Sequence, residues 1–373
     1  MDTKTIIETA EEHLIHTYNR YQIVLDKGDG VHLYDTDGKE YLDFGAGIAV
    51  FALGYNNKEY NDALKTQIDK LVHTSNYFYN EPAAKAAKML TKATGMDRVF
   101  FTNSGTEAVE GAIKLAKKYA YLKDGSTDHE IIAMEHSFHG RSMGALAVTG
   151  NKHYQEAFGP MIPGIRFAQY NNLESVKELV NEKTCAIIFE TVQGEGGVYP
   201  AKKEFIEGVR KLCDKYGILM ICDEVMAGFF RTGKWFAWQN FDFVPDMITF
   251  AKGVTCGYVQ LGGVIVNKKV ADYFEENVLQ CGLTYSGHTL ACAAGVAALT
   301  YYKEHNIEQH VAEMHEIVAP FMQKMVEKHK CVGEARCIGL FGALEMVKNK
   351  ETREPLQEYG VPGTAMPWIF AEL

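Results

Sequence analysis

What most constrains this chain is a series of short, almost purely apolar segments that alternate with amphipathic stretches. Arg98–Thr102, Glu130–Met134, Cys185–Phe189, Ile218–Cys222, Met247–Phe250 and Gly262–Val266 read as strands, and Thr106–Tyr119 and Lys203–Tyr216 as helices between them. A strand that is apolar on both faces must be covered on both, so the alternation predicts a mainly parallel sheet layered between helices, an α/β fold. Val31–Phe44 reads as a small β-meander turning at Asp37-Gly38, and Leu290–His305 and Glu308–His329 read as long helices. A chain of 373 residues suits one large domain with a smaller companion. The large domain is expected at 55–300, with the N-terminal segment 1–54 and the C-terminal part 301–373 building a smaller α+β domain.

Composition narrows the function classes. Apolar residues make up 47% and charged residues 23%, an ordinary globular balance. A net charge of −10 speaks against a nucleic-acid or acidic-membrane partner, which calls for a basic face. The eight cysteines lie far apart with no CxxC pair, and several sit inside apolar runs, as in Ile221-Cys222 and Ala291-Cys292-Ala293. They are expected to be buried, reduced thiols rather than disulfide or metal ligands. Met1 to Glu12 is acidic and lacks the apolar core of a signal peptide, and no apolar run is long enough to span a membrane. These features together point to a cytoplasmic protein.

In a sheet of this kind the active site forms outside the carboxyl ends of the strands, and polar residues of suggestive type fall there. Asn103-Ser104-Gly105-Thr106-Glu107-Ala108 follows the first strand and opens a helix. Such a start offers N–H groups and hydroxyls to a phosphate, or Ser104 or Thr106 simply caps the helix. His136-Ser137-Phe138-His139-Gly140-Arg141 follows the second. Here Phe138 can stack on a planar ring and Arg141 can bind a carboxylate, or the segment is an ordinary loop. His136 with His139, and His13 with His16, lack a third ligand at a metal-binding spacing, so no metal is expected.

Asp223-Glu224-Val225 follows the strand Ile218–Cys222, and Ala251-Lys252-Gly253 follows Met247–Phe250. A strand-end aspartate can hold a protonated pyridine nitrogen, cap a helix or bind Mg²⁺. A lysine tight against an apolar strand either snorkels to water or, if buried, becomes a competent amine nucleophile. Each feature has an everyday explanation when taken singly. A phosphate-type helix start, a ring-stacking aromatic, a ring-nitrogen acid and a strand-end lysine at successive strand ends point together to one cofactor, pyridoxal 5'-phosphate. A nicotinamide-dependent dehydrogenase fits less well. Gly45-Ala46-Gly47 is the nearest approach to a dinucleotide fingerprint, and Val50 stands where its third glycine belongs.

With those motifs in view, the chain resembles the class III, or ω-amino-acid, aminotransferases of PLP fold type I over nearly its whole length. Further motifs that carry the likeness are Glu190-Thr191-Val192-Gln193-Gly194-Glu195-Gly196-Gly197 and Thr284-Tyr285-Ser286-Gly287-His288. The resemblance implies that Lys252 attaches the cofactor and carries the proton shift, and that Asp223 pairs with the ring nitrogen. Phe138 and Val225 would sandwich the ring. Ser104, Gly105 and Thr106 would hold the phosphate together with Thr284 of a partner subunit in a homodimer that shares its active sites. Glu190 falls among the cofactor-binding residues, and Arg141, Glu195 and Tyr18 among those that meet substrate. The implied reaction is a ping-pong transfer of an ω-amino group, from N-acetylornithine or a similar donor to 2-oxoglutarate, as in arginine biosynthesis.

The likeness is not uniform. Up to about residue 222 the chain is similar to acetylornithine aminotransferases, notably in Tyr41–Val50 and Leu71–Pro82. From Asp223 onward it is more similar to ω-amino-acid:pyruvate and taurine aminotransferases, as in Met226-Ala227-Gly228-Phe229 and Lys234-Trp235-Phe236. That half favours an alternative with β-alanine or taurine as donor and pyruvate as acceptor. Met226 stands where the acetylornithine branch has a glutamine donor, and a thioether cannot donate a hydrogen bond. Phe230 stands where the family has glycine, so an altered turn before Arg231 is expected. Members of the family continue beyond the position of Leu373 and supply there an arginine that pairs with the residue matching Glu195. A chain without it is expected to fall short of a complete small domain, and an inactive PLP-binding protein is the alternative of another class.

Overall fold

The computed structural model describes residues 1–357. Expectations that fall on 358–373 lie outside the described residues. The centre is a seven-stranded sheet whose strands, in chain order, are β1 (Arg98–Thr102), β2 (Glu130–Met134), β3 (Ile165–Ala168), β4 (Thr184–Glu190), β5 (Leu219–Asp223), β6 (Met247–Phe250) and β7 (Gly262–Val266). Their order across the sheet is β1-β7-β6-β5-β4-β2-β3. All six expected strands are present.

Side chains alternate between two apolar layers, one on each face of the sheet. Met220, Cys222, Ile187 and Phe189 enter one layer, and Leu219, Ile221, Ala186 and Ile188 the other. The parallel register Met220↔Ile187 and Ile221↔Ile188 keeps like with like. Helices cover both faces. Lys203–Tyr216 buries Phe205, Ile206, Val209 and Cys213 along one stripe and ends at Gly217 in the left-handed region, φ +68°. Gly105–Asp124 is capped by the Ser104 side chain.

One strand runs against the rest. β7 pairs antiparallel with both β6 and β1, so its start, Gly262-Gly263, lies at the edge where the other strands end. A Cβ on Gly262 would come within 2.6 Å of the Ser104 carbonyl, and one on Gly263 within 2.6 Å of the Phe250 ring. Only glycine lets this strand pass so close to the head of the helix.

The expected meander at Val31–Phe44 supplies two strands, His32–Asp35 and Glu40–Leu42, of a three-stranded antiparallel sheet whose first strand, Leu25–Asp29, precedes it. The two long helices fall at Thr289–Glu304 and Ile307–Lys328, and a further antiparallel sheet begins with Val332–Ile338 and Phe341–Asn349. All eight cysteines are free thiols, six of them buried as expected; Cys331 is exposed and Cys337 half-buried. Among the described residues, no helix is long and apolar enough to cross a membrane.

Candidate active site

Because β1, β2, β4, β5 and β6 run the same way, the polar residues that follow them are delivered to one edge of the sheet. There they enclose a cavity of about 430 Å³. Lys252, Asp223, Val225 and Glu190 line it from the centre of the sheet. Gly105, Thr106, Phe138 and Arg141 line it from the loops after β1 and β2, and Tyr18 and Glu195 approach from other segments. Two expected residues lie elsewhere. Ser104 acts as the helix cap, its Oγ accepting the Glu107 N–H at 3.3 Å, and faces a smaller adjoining hollow. Thr284 is exposed and outside the cavity of its own chain.

Asp223 ends β5 with its carboxylate buried. Oδ1 accepts from the Thr249 hydroxyl at 2.9 Å and the Val225 N–H at 3.0 Å, and Oδ2 from His139 Nδ1 at 2.6 Å. His139, which the sequence offers only as a metal-ligand candidate, lies against this acid. Burial pulls the His139 pKa down, but the hydrogen bond and charge of Asp223 outweigh it and raise the pKa overall. Glu190, at the end of β4, is also buried. Its two oxygens accept the N–H groups of Phe138 and Gly194, each at 3.1 Å, which fixes the loop that carries Phe138 relative to the loop that carries Glu195. Burial pushes its carboxyl up to about 7.

Lys252 opens a short helical turn just past β6 and takes a φ of +47°, a left-handed conformation that costs a non-glycine residue free energy and is held by its surroundings. Burial lowers its pKa below the ordinary 10.5, against the opposing charges of Asp223 and Glu190, and Arg231 adds to the lowering. The neutral, nucleophilic amine is therefore populated at lower pH than in an exposed lysine. The rate at which pyridoxal 5'-phosphate attaches to the cofactor-free protein should reach half its plateau below pH 10.5, and a midpoint at or above the ordinary value would contradict this placement.

An altered turn is expected before Arg231, yet a closed one forms there. The chain keeps a tight turn, with Phe229 at φ +57° and Phe230 at φ +66°, and Arg231 N–H donating to Gly228 O at 3.4 Å. Two aromatic residues thus occupy central positions that favour glycine or asparagine. Packing of Phe230 on Trp235 (ring centroids 4.3 Å apart) and Tyr302 (5.9 Å) offsets the strain. Met226 lines the cavity, and its sulfur would lie 2.1 Å from a Cβ on Gly194, so that glycine is required beside it.

Sequence reasoning missed two other residues. Ile48 lines the cavity from a turn in which Ala46, Gly47, Ile48 and Ala49 all have positive φ. Tyr154 has its ring 3.8 Å beneath the Arg141 guanidinium, and its hydroxyl donates to Glu195 Oε1 at 2.6 Å.

The residues present fit pyridoxal 5'-phosphate. A carboxylate has about four acceptor positions. Asp223 uses three of them on protein donors, which leaves one for a ring nitrogen in the cavity. At the start of the helix Gly105–Asp124, the N–H groups of Gly105 and Thr106 have no carbonyl within the helix to donate to and suit a phosphate. Bare backbone is needed beside them: a Cβ on Gly105 would meet Val225 at 2.8 Å, and one on Gly140 would meet Thr106 Oγ1 at 2.3 Å.

A helix-covered, mainly parallel sheet with a strand-end lysine and a buried acid facing one cavity defines a PLP-dependent aminotransferase of fold type I. More narrowly, residues 15–365 match the family model "Aminotransferase class-III", and the chain belongs to that family. It is 41% identical over 338 residues to the acetylornithine aminotransferase of Clostridium acetobutylicum, covering 90% of this chain and 87% of that one. It is 40% identical to the acetylornithine aminotransferase of Caldanaerobacter subterraneus subsp. tengcongensis, covering 91% and 86%. Among solved structures it is similar to the taurine:2-oxoglutarate aminotransferase of Bifidobacterium kashiwanohense, in complex with PLP and glutamate. That match has a TM-score of 0.94 and 44% identity and covers 100% of this chain and 89% of that one.

Proposed function

We propose that this aminotransferase takes the terminal amino group of an ω-amino acid with an anionic far end, N-acetylornithine first among them, and passes it to 2-oxoglutarate in a ping-pong cycle. The observation that carries the reading is the pairing, in one cavity, of a lysine amine with an arginine. Arg141 would grip the far carboxylate of donor and acceptor alike, which places their reacting ends toward Lys252. Similarity to two acetylornithine aminotransferases supports the donor. Similarity to a taurine:2-oxoglutarate enzyme supports the acceptor and favours taurine as a second donor.

In this reading Lys252 Nζ would hold the cofactor covalently and would carry the proton at the substrate carbon. Asp223 keeps the proton on the ring nitrogen, with His139 and Thr249 orienting its carboxylate. Phe138 and Val225 cover the two ring faces and exclude water. The N–H groups of Gly105 and Thr106 take the phosphate, joined by Thr284 of a partner subunit. Bound there, pyridoxal 5'-phosphate supplies the electron sink and carries the amino group between substrates. The homodimer is supported by the exposure of Thr284 and of a set of large aromatics, including Phe44 at 92%, Tyr77 at 94% and Tyr79 at 107%. A cytoplasmic location and a division into segments 1–54, 55–300 and 301–373 belong to the same reading.

Single-turnover rates of the cofactor-loaded protein with N-acetylornithine, β-alanine and taurine, followed by the change in visible absorbance, test the donor. The fastest change is expected with N-acetylornithine. No change with N-acetylornithine and a fast one with taurine would replace it as donor, and bound cofactor with no response to any amine would mark an inactive PLP-binding protein.

A further inference from the structure

Two opposite charges, Arg141 and Glu195, line the same cavity, yet no ion pair joins them among the described residues. A guanidinium and a carboxylate free to meet can pair through parallel N–H···O bonds, and such a pair would use the donors that a substrate carboxylate needs. Tyr154 satisfies each charge separately. Its hydroxyl donates to Glu195 Oε1 at 2.6 Å, and its ring takes the Arg141 guanidinium on its face at 3.8 Å. Tyr154 meets the guanidinium with its ring and with its hydroxyl, which leaves most of the five N–H donors for a substrate carboxylate.

The tyrosine itself is fixed in place. It lies on the short turn Lys152–Gln155, whose last side chain donates to the carbonyls of Leu146 at 3.0 Å and Thr149 at 2.9 Å. Its ring meets the Phe138 ring edge to face at a centroid distance of 6.3 Å, and Phe138 supports Arg141 from 5.3 Å. Burial and the neighbouring Glu195 both raise the phenol pKa, so the hydroxyl remains a donor at neutral pH.

We infer that Tyr154 is a positioning residue that keeps Glu195 off Arg141 and thereby sets the affinity of the site for carboxylate substrates. The inference rests on the reading in which Arg141 receives the substrate carboxylate. In Tyr154→Phe the ring stays under Arg141 while Glu195 loses its donor and is free to turn to the guanidinium.

The test uses the cofactor-loaded enzyme, with kcat and KM for 2-oxoglutarate and, independently of turnover, the Kd of glutarate by calorimetry. Tyr154→Phe should raise KM and Kd about tenfold, the loss of one charge-assisted hydrogen bond's worth of positioning, with a smaller effect on kcat. Glu195→Gln added to Tyr154→Phe should restore both constants, because a neutral amide does not compete for Arg141 as a carboxylate does. Unchanged constants in Tyr154→Phe, with a large rise in Arg141→Ala, would overturn the inference and leave the substrate reading standing. A rise that Glu195→Gln does not restore would also overturn it, by showing a structural role. Unchanged constants in Arg141→Ala would remove the substrate reading and the inference with it.

Discussion

Replacing Lys252 with alanine should reduce turnover by about 10⁴-fold or more while leaving the protein folded. The substitution removes both a nucleophile and a proton carrier at the reacting atom, and the proton-transfer part alone is typically worth 10²–10⁴-fold. The Lys252 side chain makes no ion pair or hydrogen bond among the described residues, and its burial disfavours its charged form. Its loss therefore leaves no partner unsatisfied. Alanine would inherit the left-handed backbone at φ +47°, a strain of about 1 kcal/mol that the lysine already bears. The urea midpoint of the variant should stay close to that of the wild type, measured on the cofactor-free proteins so that loss of cofactor does not enter. Turnover within tenfold of wild type would remove Lys252 from the chemistry.

Asp223→Ala is expected to damage both activity and the fold. Three donors converge on this carboxylate: His139 Nδ1, the Thr249 hydroxyl and the Val225 N–H. Truncation strands all three in a dry interior, and removing one partner of a buried charged pair typically costs about 3–5 kcal/mol. The penalty depends on pH, with a definite sign. Asp223 raises the folded-state pKa of His139 above its ordinary 6.5. The stability that comes from the protonated pair is therefore fully present below pH 6.5 and is lost as pH rises through the raised value. The gap in unfolding free energy between wild type and Asp223→Ala should be wider near pH 6 than near pH 9. A gap that is flat or widens with pH would mean that His139 and Asp223 are not coupled as the geometry indicates.

The sheet was legible because its strands are buried on both faces and so spell themselves out as apolar runs. Ile165–Ala168 escaped notice as an edge strand of four residues with Arg166 exposed in its middle. The reversed direction of β7 left no trace in its composition; close approach to Ser104 explains Gly262, and close approach to the Phe100 carbonyl and the Phe250 ring explains Gly263. Lys252, Asp223 and Arg141 could be found because each follows an apolar strand at the edge where active sites form. His139 and Tyr154 could not be assigned because their partners are distant in the chain, 84 residues away for His139–Asp223 and 41 for Tyr154–Glu195. Phe230 shows the reverse case. The missing glycine was visible in the sequence, whereas the retained turn and the aromatic cluster that stabilises it became apparent only in three dimensions.

The central claim is that Lys252 is the residue that holds the cofactor. Reducing the pyridoxal-phosphate-loaded protein with borohydride makes any lysine–cofactor bond permanent, and peptide mapping by mass spectrometry then locates it. The account predicts the added mass on the peptide containing Ala251-Lys252-Gly253 alone, and its disappearance in Lys252→Ala. Label on a different lysine, or none on a protein that binds the cofactor, would contradict it.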